Sequence, residues 1–300
     1  MFKDKDIVCF LGDSITASGL WEAEVYQTLR KKYKIKCYNC GVSGATAETT
    51  TGYMYEECLI RNPDYVVLML GMNDFNMGLY GSKQTLIPDL KEQRETRVKV
   101  HKKNYENIIR ACKEFGSEVI ICLPTPYDEI TEYDTENLHY QQALDKAADF
   151  QVEMAEKYDC RIVNFKDNML PMLGKRKIIR EDRVHPTEHG YHVMAQIFLK
   201  EIGEIDECDF DSPFEFEEWN KKRYDAEMKN HTLNYVELCD TYFEGYVKNK
   251  SVDEIKEIVK QKLEAYDGNS VFIPHAFAEY IEKGHMRSKN KGETVKYTVF

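Results

Sequence analysis

Short apolar runs alternate with helix-length amphipathic segments through the first two-thirds of the chain. This alternation is typical of a parallel sheet with helices packed on both of its faces. The run from Tyr65 to Leu70 is apolar throughout rather than at every second position, as expected of a central strand buried on both faces. The sequence therefore predicts an α/β fold, a three-layer α/β/α sandwich around a five-stranded parallel sheet.

The predicted elements follow from the apolar runs and from the helical periodicity of the segments between them. The predicted strands are Ile7–Leu11, Ile35–Asn39, Tyr65–Leu70, Glu118–Leu123 and Arg161–Asn164. The predicted helices are Leu20–Tyr33, Ala47–Arg61, Val98–Phe115, Thr135–Tyr158 and Thr187–Ile202.

Two predicted connections are longer than the about 2 to 6 residues usual for a loop in an α/β fold. One runs from Phe75 to Arg97, and the other from Pro124 to Asp134. Both follow the carboxyl ends of strands, where open α/β sheets bind their ligands. We therefore expect these two loops to shape a substrate site.

Composition and charge exclude several kinds of partner. The chain has 300 residues, of which 42% are hydrophobic and 31% charged, as in a water-soluble globular protein. Its 52 acidic and 41 basic side chains give a net charge of -11, which opposes attraction to nucleic-acid phosphates and anionic lipids. No segment has the roughly 18 to 20 apolar residues of a membrane span. We therefore expect no nucleic-acid partner and no membrane association.

The N-terminus and the cysteines indicate a reducing compartment. The charged segment Met1–Asp6 leads into an apolar run too short for a signal peptide, which predicts a cytoplasmic protein. The nine cysteines are odd in number and scattered, as expected of reduced, buried thiols. Cys37 and Cys40 lie three apart along a predicted strand, and an odd offset sends their side chains to opposite faces. This argues against a shared metal or redox role for the pair.

A serine stands at the carboxyl end of the first predicted strand, in the run Gly12-Asp13-Ser14-Ile15-Thr16. In that position its hydroxyl is exposed at the sheet edge, close to main-chain amides that can stabilise an oxyanion. Taken alone, the same residues also suit an ordinary turn and helix cap.

Three further motifs follow in order along the chain. The run from Asn39 to Thr46 contains two glycines, which permit a sharp turn with amide groups facing a ligand. Gly71-Met72-Asn73-Asp74 leaves the third strand and supplies a carboxamide donor. In Asp182-Arg183-Val184-His185-Pro186 the acid and the imidazole are three residues apart in an extended turn, where a hydrogen bond between them fixes the imidazole tautomer.

Together these four motifs resemble those of the SGNH hydrolases, also called GDSL esterases, over residues 5 to 203. The resemblance implies a flavodoxin-like SGNH fold, with Ser14 as nucleophile, His185 as general base and Asp182 as its orienting partner. It also implies an oxyanion hole formed by the Ser14 amide, the Gly44 amide and the Asn73 side chain. No cofactor and no metal ion is implied.

The detailed residue pattern of these motifs resembles that of intracellular carbohydrate acetylesterases. We therefore expect a serine esterase that hydrolyses O-acyl esters, O-acetyl groups in particular, on a small molecule or oligosaccharide through an acyl-enzyme. A lysophospholipase or thioesterase would share every catalytic residue, and a non-catalytic binding scaffold could retain the fold alone. Tyr80, Tyr127 and Tyr133, which lie among polar residues in the two long loops, favour a sugar over a long acyl chain.

Some neighbouring residues admit more than one interpretation. Asp13 and Asp74 adjoin the motif residues, and we expect them to bond to local main-chain groups and brace the loops. The spacing of His185, His189 and His192 could suggest a metal, but Pro186 places the first of them before the helix, so no metal site is predicted. The first helix carries Trp21 and Tyr26, which could line a pocket or belong to the core.

The composition changes after residue 203. Eight acidic residues, no basic residue and four aromatic rings lie between Glu204 and Trp219, and a helical pattern follows. Ser251 and Glu254 have the spacing of a capping box, and Gly268 stands where that helix would end. The sequence thus predicts a catalytic domain at 1–203 and a connector with a mainly helical extension at 204–300. The extension could pack on the domain, mediate homo-oligomerisation or cap the site.

Overall fold

The computed structural model describes residues 1–81 and 88–215, together with residues 251 and 254. Five strands form one sheet in the order β2-β1-β3-β4-β5, and every neighbouring pair is parallel. The strands are β1 (Ile7–Gly12), β2 (Lys36–Gly41), β3 (Tyr65–Met69), β4 (Glu118–Leu123) and β5 (Arg161–Asn164).

Helices follow the strands and cover the sheet. They are α1 (Ser14–Ala17), α2 (Leu20–Leu29), α3 (Ala47–Thr50), α4 (Met54–Glu57), α5 (Pro88–Glu114), α6 (Gln141–Tyr158), α7 (Phe165–Met169) and α8 (Glu188–Glu201). Single turns of 3-10 helix lie at Leu59–Arg61, Met77–Leu79 and Leu170–Met172.

The sheet divides the core into two apolar layers because successive strand residues face opposite sides. Phe10 and Val67 belong to one layer, which also holds the buried residues of α2 and α8. Leu11 and Leu68 belong to the other, against α3 and α5. Strand β1 is buried at all six positions, with β2 and β3 on either side. The predicted three-layer sandwich and its five strands are confirmed.

The predicted helix Ala47–Arg61 is wrong as a continuous element. The structure breaks it into α3, α4 and a 3-10 turn. Three consecutive β-branched or glycine positions, Thr50, Thr51 and Gly52, follow the start of this segment, and these residue types have low helix propensity.

Other helix boundaries shift. Helix α5 begins at Pro88, ten residues before the predicted Val98, so the predicted loop to Arg97 is partly helical. Its first turns are almost entirely polar, and the apolar periodicity that marks a helix in the sequence begins only near Val98. Helix α6 begins at Gln141 rather than at the predicted Thr135.

The aromatic residues of α2 belong to the core. The Trp21 side chain is fully buried and makes edge contacts with the rings of Phe10, Phe165 and Phe198. Tyr26 is also buried. Of the two interpretations of these residues, the structure supports core packing.

Residues 204–215 pack on the sheet domain. The Glu204 carboxylate lies 3.2 Å from the Lys32 ammonium, and Phe210 and Phe214 contact the layer beneath α2 and α8. The Ser251 amide donates to the Glu254 carboxylate at 2.7 Å, and the Glu254 amide donates back to the Ser251 hydroxyl at 3.2 Å, as a capping box requires.

The domain boundary at 203 and homo-oligomerisation through residues 204–300 stay predictions. The predicted helix end at Gly268 and most of residues 204–300 lie outside the described residues. The cytoplasmic location also stays a prediction. None of the described helices is both long enough and apolar enough to pass through a bilayer.

Candidate active site

The hydroxyl of Ser14 faces an imidazole that comes from the far end of the domain. Ser14 begins α1, directly after β1, and its Oγ lies 2.8 Å from Nε2 of His185. The Asp13 side chain caps α1 by accepting from the Ile15 amide at 3.0 Å. The strand and this cap fix Ser14 at the carboxyl edge of the sheet.

The other nitrogen of the same imidazole meets a carboxylate. Nδ1 of His185 lies 2.8 Å from Oδ2 of Asp182. Oδ1 of Asp182 accepts from the amides of Val184 and His185, at 3.0 and 2.9 Å. Partial burial raises the pKa of Asp182, but these main-chain donors and the imidazole outweigh it and lower that pKa overall. Asp182 is thus an ionised acceptor that orients the ring.

The turn that carries His185 is closed by its own main chain. The Arg180 amide donates to the His185 carbonyl at 2.8 Å, and Ile179 forms an isolated bridge with Pro186. Thr187 then caps α8 by accepting from the Gly190 amide at 3.1 Å. His185 therefore lies before α8, as Pro186 predicts.

Two further predicted residues lie on the neighbouring loops. Gly44 follows β2, is exposed and has a φ of 76°, a left-handed conformation that favours glycine. Asn73 follows β3, and its Nδ2 donates to the Ala45 carbonyl at 3.1 Å. This bond leaves the second amide hydrogen of Asn73 for a ligand. The three strands β1, β2 and β3 thus bring Ser14, Gly44 and Asn73 to one edge of the sheet.

Asp13 and Asp74 bond to main-chain groups beside the site, as predicted. Oδ1 of Asp74 accepts from the Ala47 amide at 2.9 Å and so joins the loops after β2 and β3. Burial raises the pKa of Asp13 to about 7, while its bond from the Ile15 amide opposes the rise and the Asp74 charge adds to it.

Sequence reasoning gave no role to two polar residues that also shape this edge. Asn39, at the end of β2, donates to the Thr16 carbonyl at 2.8 Å and accepts from the Gly41 amide at 2.8 Å. His101 of α5 places Nδ1 2.8 Å from Oδ1 of Asp74. The available signal for Asn39 was its place as the first residue of the Asn39–Thr46 motif, whereas no motif contains His101.

The three histidines of the C-terminal motif do not converge. Nε2 of His185 contacts Ser14, whereas His192 contacts Oε2 of Glu24 through Nδ1 at 2.8 Å and the Asp209 carbonyl through Nε2 at 2.9 Å. The rings of His189 and His192 are 6.2 Å apart.

Among the described residues, one group has the spacing of a metal site. The Sγ atoms of Cys9, Cys40 and Cys58 lie within 4.8 Å of one another in the layer beneath α3 and α5. Burial raises the pKa of the Cys9 and Cys58 thiols, which favours their protonated forms. Burial also acts on Cys40, but the two neighbouring thiols and the positive charge of Arg61 outweigh it and lower the pKa of Cys40.

The tyrosines expected to line a sugar site do not support that expectation. Tyr80 and Tyr127 are buried, and their rings both pack against the ring of Tyr140. The Tyr133 hydroxyl donates to the Ile179 carbonyl at 2.7 Å. All three therefore stabilise the fold, and they carry no argument about the substrate.

This sheet, with a serine, a histidine and an aspartate joined at its carboxyl edge, defines an SGNH-type hydrolase fold. The model of the GDSL-like Lipase/Acylhydrolase family matches residues 10–193, and the chain belongs to that family. It is a carboxylic ester hydrolase.

Individual relatives agree with the family. An acetylxylan esterase from Geobacillus stearothermophilus is 26% identical over 217 residues, which cover 65% of this chain and 92% of that protein. The crystal structure of Axe2, an acetylxylan esterase from the same organism, is 22% identical, with a TM-score of 0.56 over 71% of this chain and 99% of that one.

A gut microbial diltiazem-metabolizing enzyme has a similar fold, with a TM-score of 0.61 and 24% identity. The match covers 68% of this chain but only 48% of that enzyme. These two structural likenesses concern the fold.

Proposed function

We propose that the protein is a serine esterase that removes O-acetyl groups from carbohydrates, with Ser14, His185 and Asp182 as its catalytic triad. The observation that carries this proposal is the continuous chain of contacts from Ser14 Oγ through both nitrogens of His185 to Asp182, each of 2.8 Å. A serine hydroxyl is a weak nucleophile until a positioned base takes its proton, and this geometry supplies that base.

In the first half of the reaction, Ser14 Oγ attacks the ester carbonyl carbon while its proton passes to Nε2 of His185. The imidazolium is stabilised by Asp182, whose carboxylate stays ionised. The carbonyl oxygen becomes an oxyanion held by the amides of Ser14 and Gly44 and by Nδ2 of Asn73. The tetrahedral intermediate collapses, the carbon–oxygen bond to the alcohol breaks, and His185 gives its proton to the departing alcohol.

The second half repeats these steps with water. His185 takes a proton from a water molecule as that water attacks the acyl-Ser14 carbonyl, and the same donors hold the second oxyanion. Collapse breaks the bond to Ser14 Oγ, His185 returns the proton to it, and the carboxylic acid leaves.

The carbohydrate substrate is supported by the acetylxylan esterase, which the chain matches over 92% of that relative's length. An acetyl group needs only a small acyl site. A lysophospholipase or thioesterase would instead accept a long acyl chain, so acyl-chain length separates the two hypotheses.

The role of Ser14 is tested by substituting alanine. Ser14→Ala should abolish hydrolysis of p-nitrophenyl acetate and covalent labelling by a fluorophosphonate, with an unchanged circular dichroism spectrum. Ser212→Ala, which removes a serine from residues 204–215, should retain both. Labelling of the folded Ser14→Ala variant at the wild-type rate would refute the assignment, and an unlabelled wild-type protein would support a scaffold.

The substrate is tested by comparing catalytic efficiencies on acetylated xylo-oligosaccharides, palmitoyl esters and palmitoyl thioesters. We expect the acetylated oligosaccharide to give the highest kcat/KM. Faster hydrolysis of the palmitoyl compounds would overturn the carbohydrate proposal while leaving the triad intact.

A further inference from the structure

A buried arginine lies inside the turn that holds the two acid–base residues. Arg183 is only 3% exposed, although it stands between Asp182 and His185, which are both accessible. Its guanidinium donates to four main-chain carbonyls of a neighbouring loop, which we call the carbonyl cage. The cage consists of the carbonyls of Asp128 at 2.8 Å, Thr131 at 3.0 Å, Tyr133 at 3.4 Å and Thr135 at 3.0 Å.

The main chain of Arg183 is fixed as well. Its φ is 66°, a left-handed conformation that a side chain other than glycine adopts only when its surroundings enforce it. Its amide donates to the Arg180 carbonyl at 2.9 Å, and its carbonyl accepts from the Asp128 amide at 2.9 Å. Both the main chain and the side chain of Arg183 are therefore bonded to the loop that carries the carbonyl cage.

The loop that forms the cage is itself shaped for this contact. Oδ1 of the buried Asp128 accepts from the amides of Ile130 and Thr131, at 3.0 and 2.8 Å, which curls the loop around the guanidinium. The Thr135 hydroxyl and the Tyr133 hydroxyl donate to carbonyls of the segment before Arg183. These four carbonyls lie outside regular structure, and one guanidinium donates to all of them.

The loop at 124–134 has a second role besides the predicted one of shaping the substrate site. Its Asp128, Thr131 and Tyr133 carbonyls accept from Arg183. The same turn places the Asp182 carboxylate on the amides of Val184 and His185. A rotation at residue 183 would therefore displace both members of the acid–base pair.

We propose that Arg183 is a positioning residue that holds the Asp182–His185 pair against Ser14 by anchoring their turn in the carbonyl cage. This inference rests on the proposed function for its effect on activity. Arg183 does not touch the reacting atoms. A displacement of about 1 Å in a catalytic group costs on the order of 10²-fold in rate, so its loss should lower kcat and leave KM nearly unchanged.

The test removes the guanidinium and then returns it. Arg183→Gly deletes the side chain while glycine accepts the left-handed main chain, and Arg183→Lys keeps the charge but has a single donor point. Arg180→Ala, at an exposed position of the same turn, is the matched control. Folding of each variant is checked by circular dichroism and by its thermal midpoint.

In folded Arg183→Gly we expect kcat and the rate of fluorophosphonate labelling to fall on the order of 10²-fold. Low millimolar guanidinium chloride should restore much of the loss, because the free ion fills the cage, whereas urea, which is uncharged, should not. Arg183→Lys should lie between this variant and the wild type, and Arg180→Ala should match the wild type. If Arg183→Gly does not fold, the proposal is tested with Arg183→Lys alone, in which we expect a lower kcat and a nearly unchanged KM.

A folded Arg183→Gly with wild-type kcat, a defect that guanidinium does not relieve, or a folded Arg183→Lys with wild-type kcat and KM would overturn the proposal. A second readout does not depend on esterase activity. Solvent exchange of the His185 Nδ1 proton, measured by NMR, should be faster in Arg183→Gly and slowed again by guanidinium. If the wild type hydrolyses no ester, the proposed function fails, but the role of Arg183 can still be tested by proton exchange. In that case, an exchange rate of the His185 Nδ1 proton that is the same in Arg183→Gly and the wild type would refute the role of Arg183.

Discussion

Nε2 of His185 lies 2.8 Å from Oγ of Ser14, although 171 positions separate the two residues in the chain. Ser14 is placed by the first strand, while His185 is placed by a turn before the last helix of the sheet domain. The contact therefore depends on the whole sheet and on the turn, and substitutions can test each part separately.

The orientation of His185 is tested by Asp182→Asn. The asparagine oxygen can still accept from the two main-chain amides, but its amide nitrogen would then donate to Nδ1 of His185. That tautomer puts the ring proton on Nε2, which can no longer accept from Ser14. We expect kcat to fall by up to about 10⁴-fold with little change in KM.

The measurement is steady-state hydrolysis of p-nitrophenyl acetate. Asp149→Asn, on an exposed position of α6, should keep the wild-type rate. Wild-type turnover in Asp182→Asn would show that the carboxylate is not needed to orient His185.

The oxyanion hole is tested at Asn73. Its Nδ2 is held on the Ala45 carbonyl, so the amide is preorganised before substrate binds. Removing one such donor costs on the order of 10² to 10³ in kcat, because the bond strengthens in the transition state. Asn73→Ala should show this loss in kcat with KM within a few-fold, while Asn168→Ala, an asparagine at the end of α7, should show neither. A loss confined to KM would contradict the oxyanion role.

Much of the fold could be predicted because its signals are local. Strands β1, β3 and β4 are largely apolar runs, and the predicted bounds of all five strands agree with the structure to within about two residues. The polar start of α5 and the break after α3 were not predicted from the sequence. The apolar periodicity that indicates a buried helix is absent from the start of α5, and it does not mark where α3 ends.

The candidate site was likewise predictable only in part from the sequence. Ser14, Gly44, Asn73, Asp182 and His185 stand in recognisable motifs, and the structure brings them to one edge of the sheet. Arg183 lies within one of those motifs, but its partners are main-chain carbonyls in an irregular loop. Any residue type offers a carbonyl, so no sequence pattern marks such a partner.

A buried histidine makes stability depend on pH. Both ring nitrogens of His192 face acceptors, the Glu24 carboxylate and the Asp209 carbonyl, and these contacts favour the protonated ring. Burial lowers the pKa of His192, but the bond and charge of Glu24 outweigh it and raise that pKa overall. A raised pKa in the folded state gives stability that is full below the unfolded value and is lost as the pH rises through the folded value.

We therefore expect the free energy of unfolding to fall as the pH rises from the unfolded value of about 6.5 through the raised folded-state pKa of His192. His192→Gln should flatten this part of the profile, and His139→Gln, an exposed histidine, should leave it unchanged. Urea unfolding at each pH measures the effect. A profile in His192→Gln that parallels the wild type would exclude His192 as its source.

Gly190 allows α8 to start close to the turn that carries His185. A Cβ at this position would overlap the Ile178 carbonyl oxygen, which accepts from the Thr187 amide at 3.0 Å. Gly190→Ala must push α8 away from that carbonyl, and overpacking of this kind costs about 1 to 3 kcal/mol. Urea unfolding should show that loss of stability. Because the turn that carries His185 shifts as well, kcat should also be lower.

Gly52→Ala is the control. Its new Cβ meets only the Thr49 carbonyl, at 3.2 Å, and stability should change by less than about 0.5 kcal/mol. Equal stability of the two variants would contradict the close packing of Gly190 against Ile178, and an unchanged kcat in a destabilised Gly190→Ala would show that this packing does not position His185.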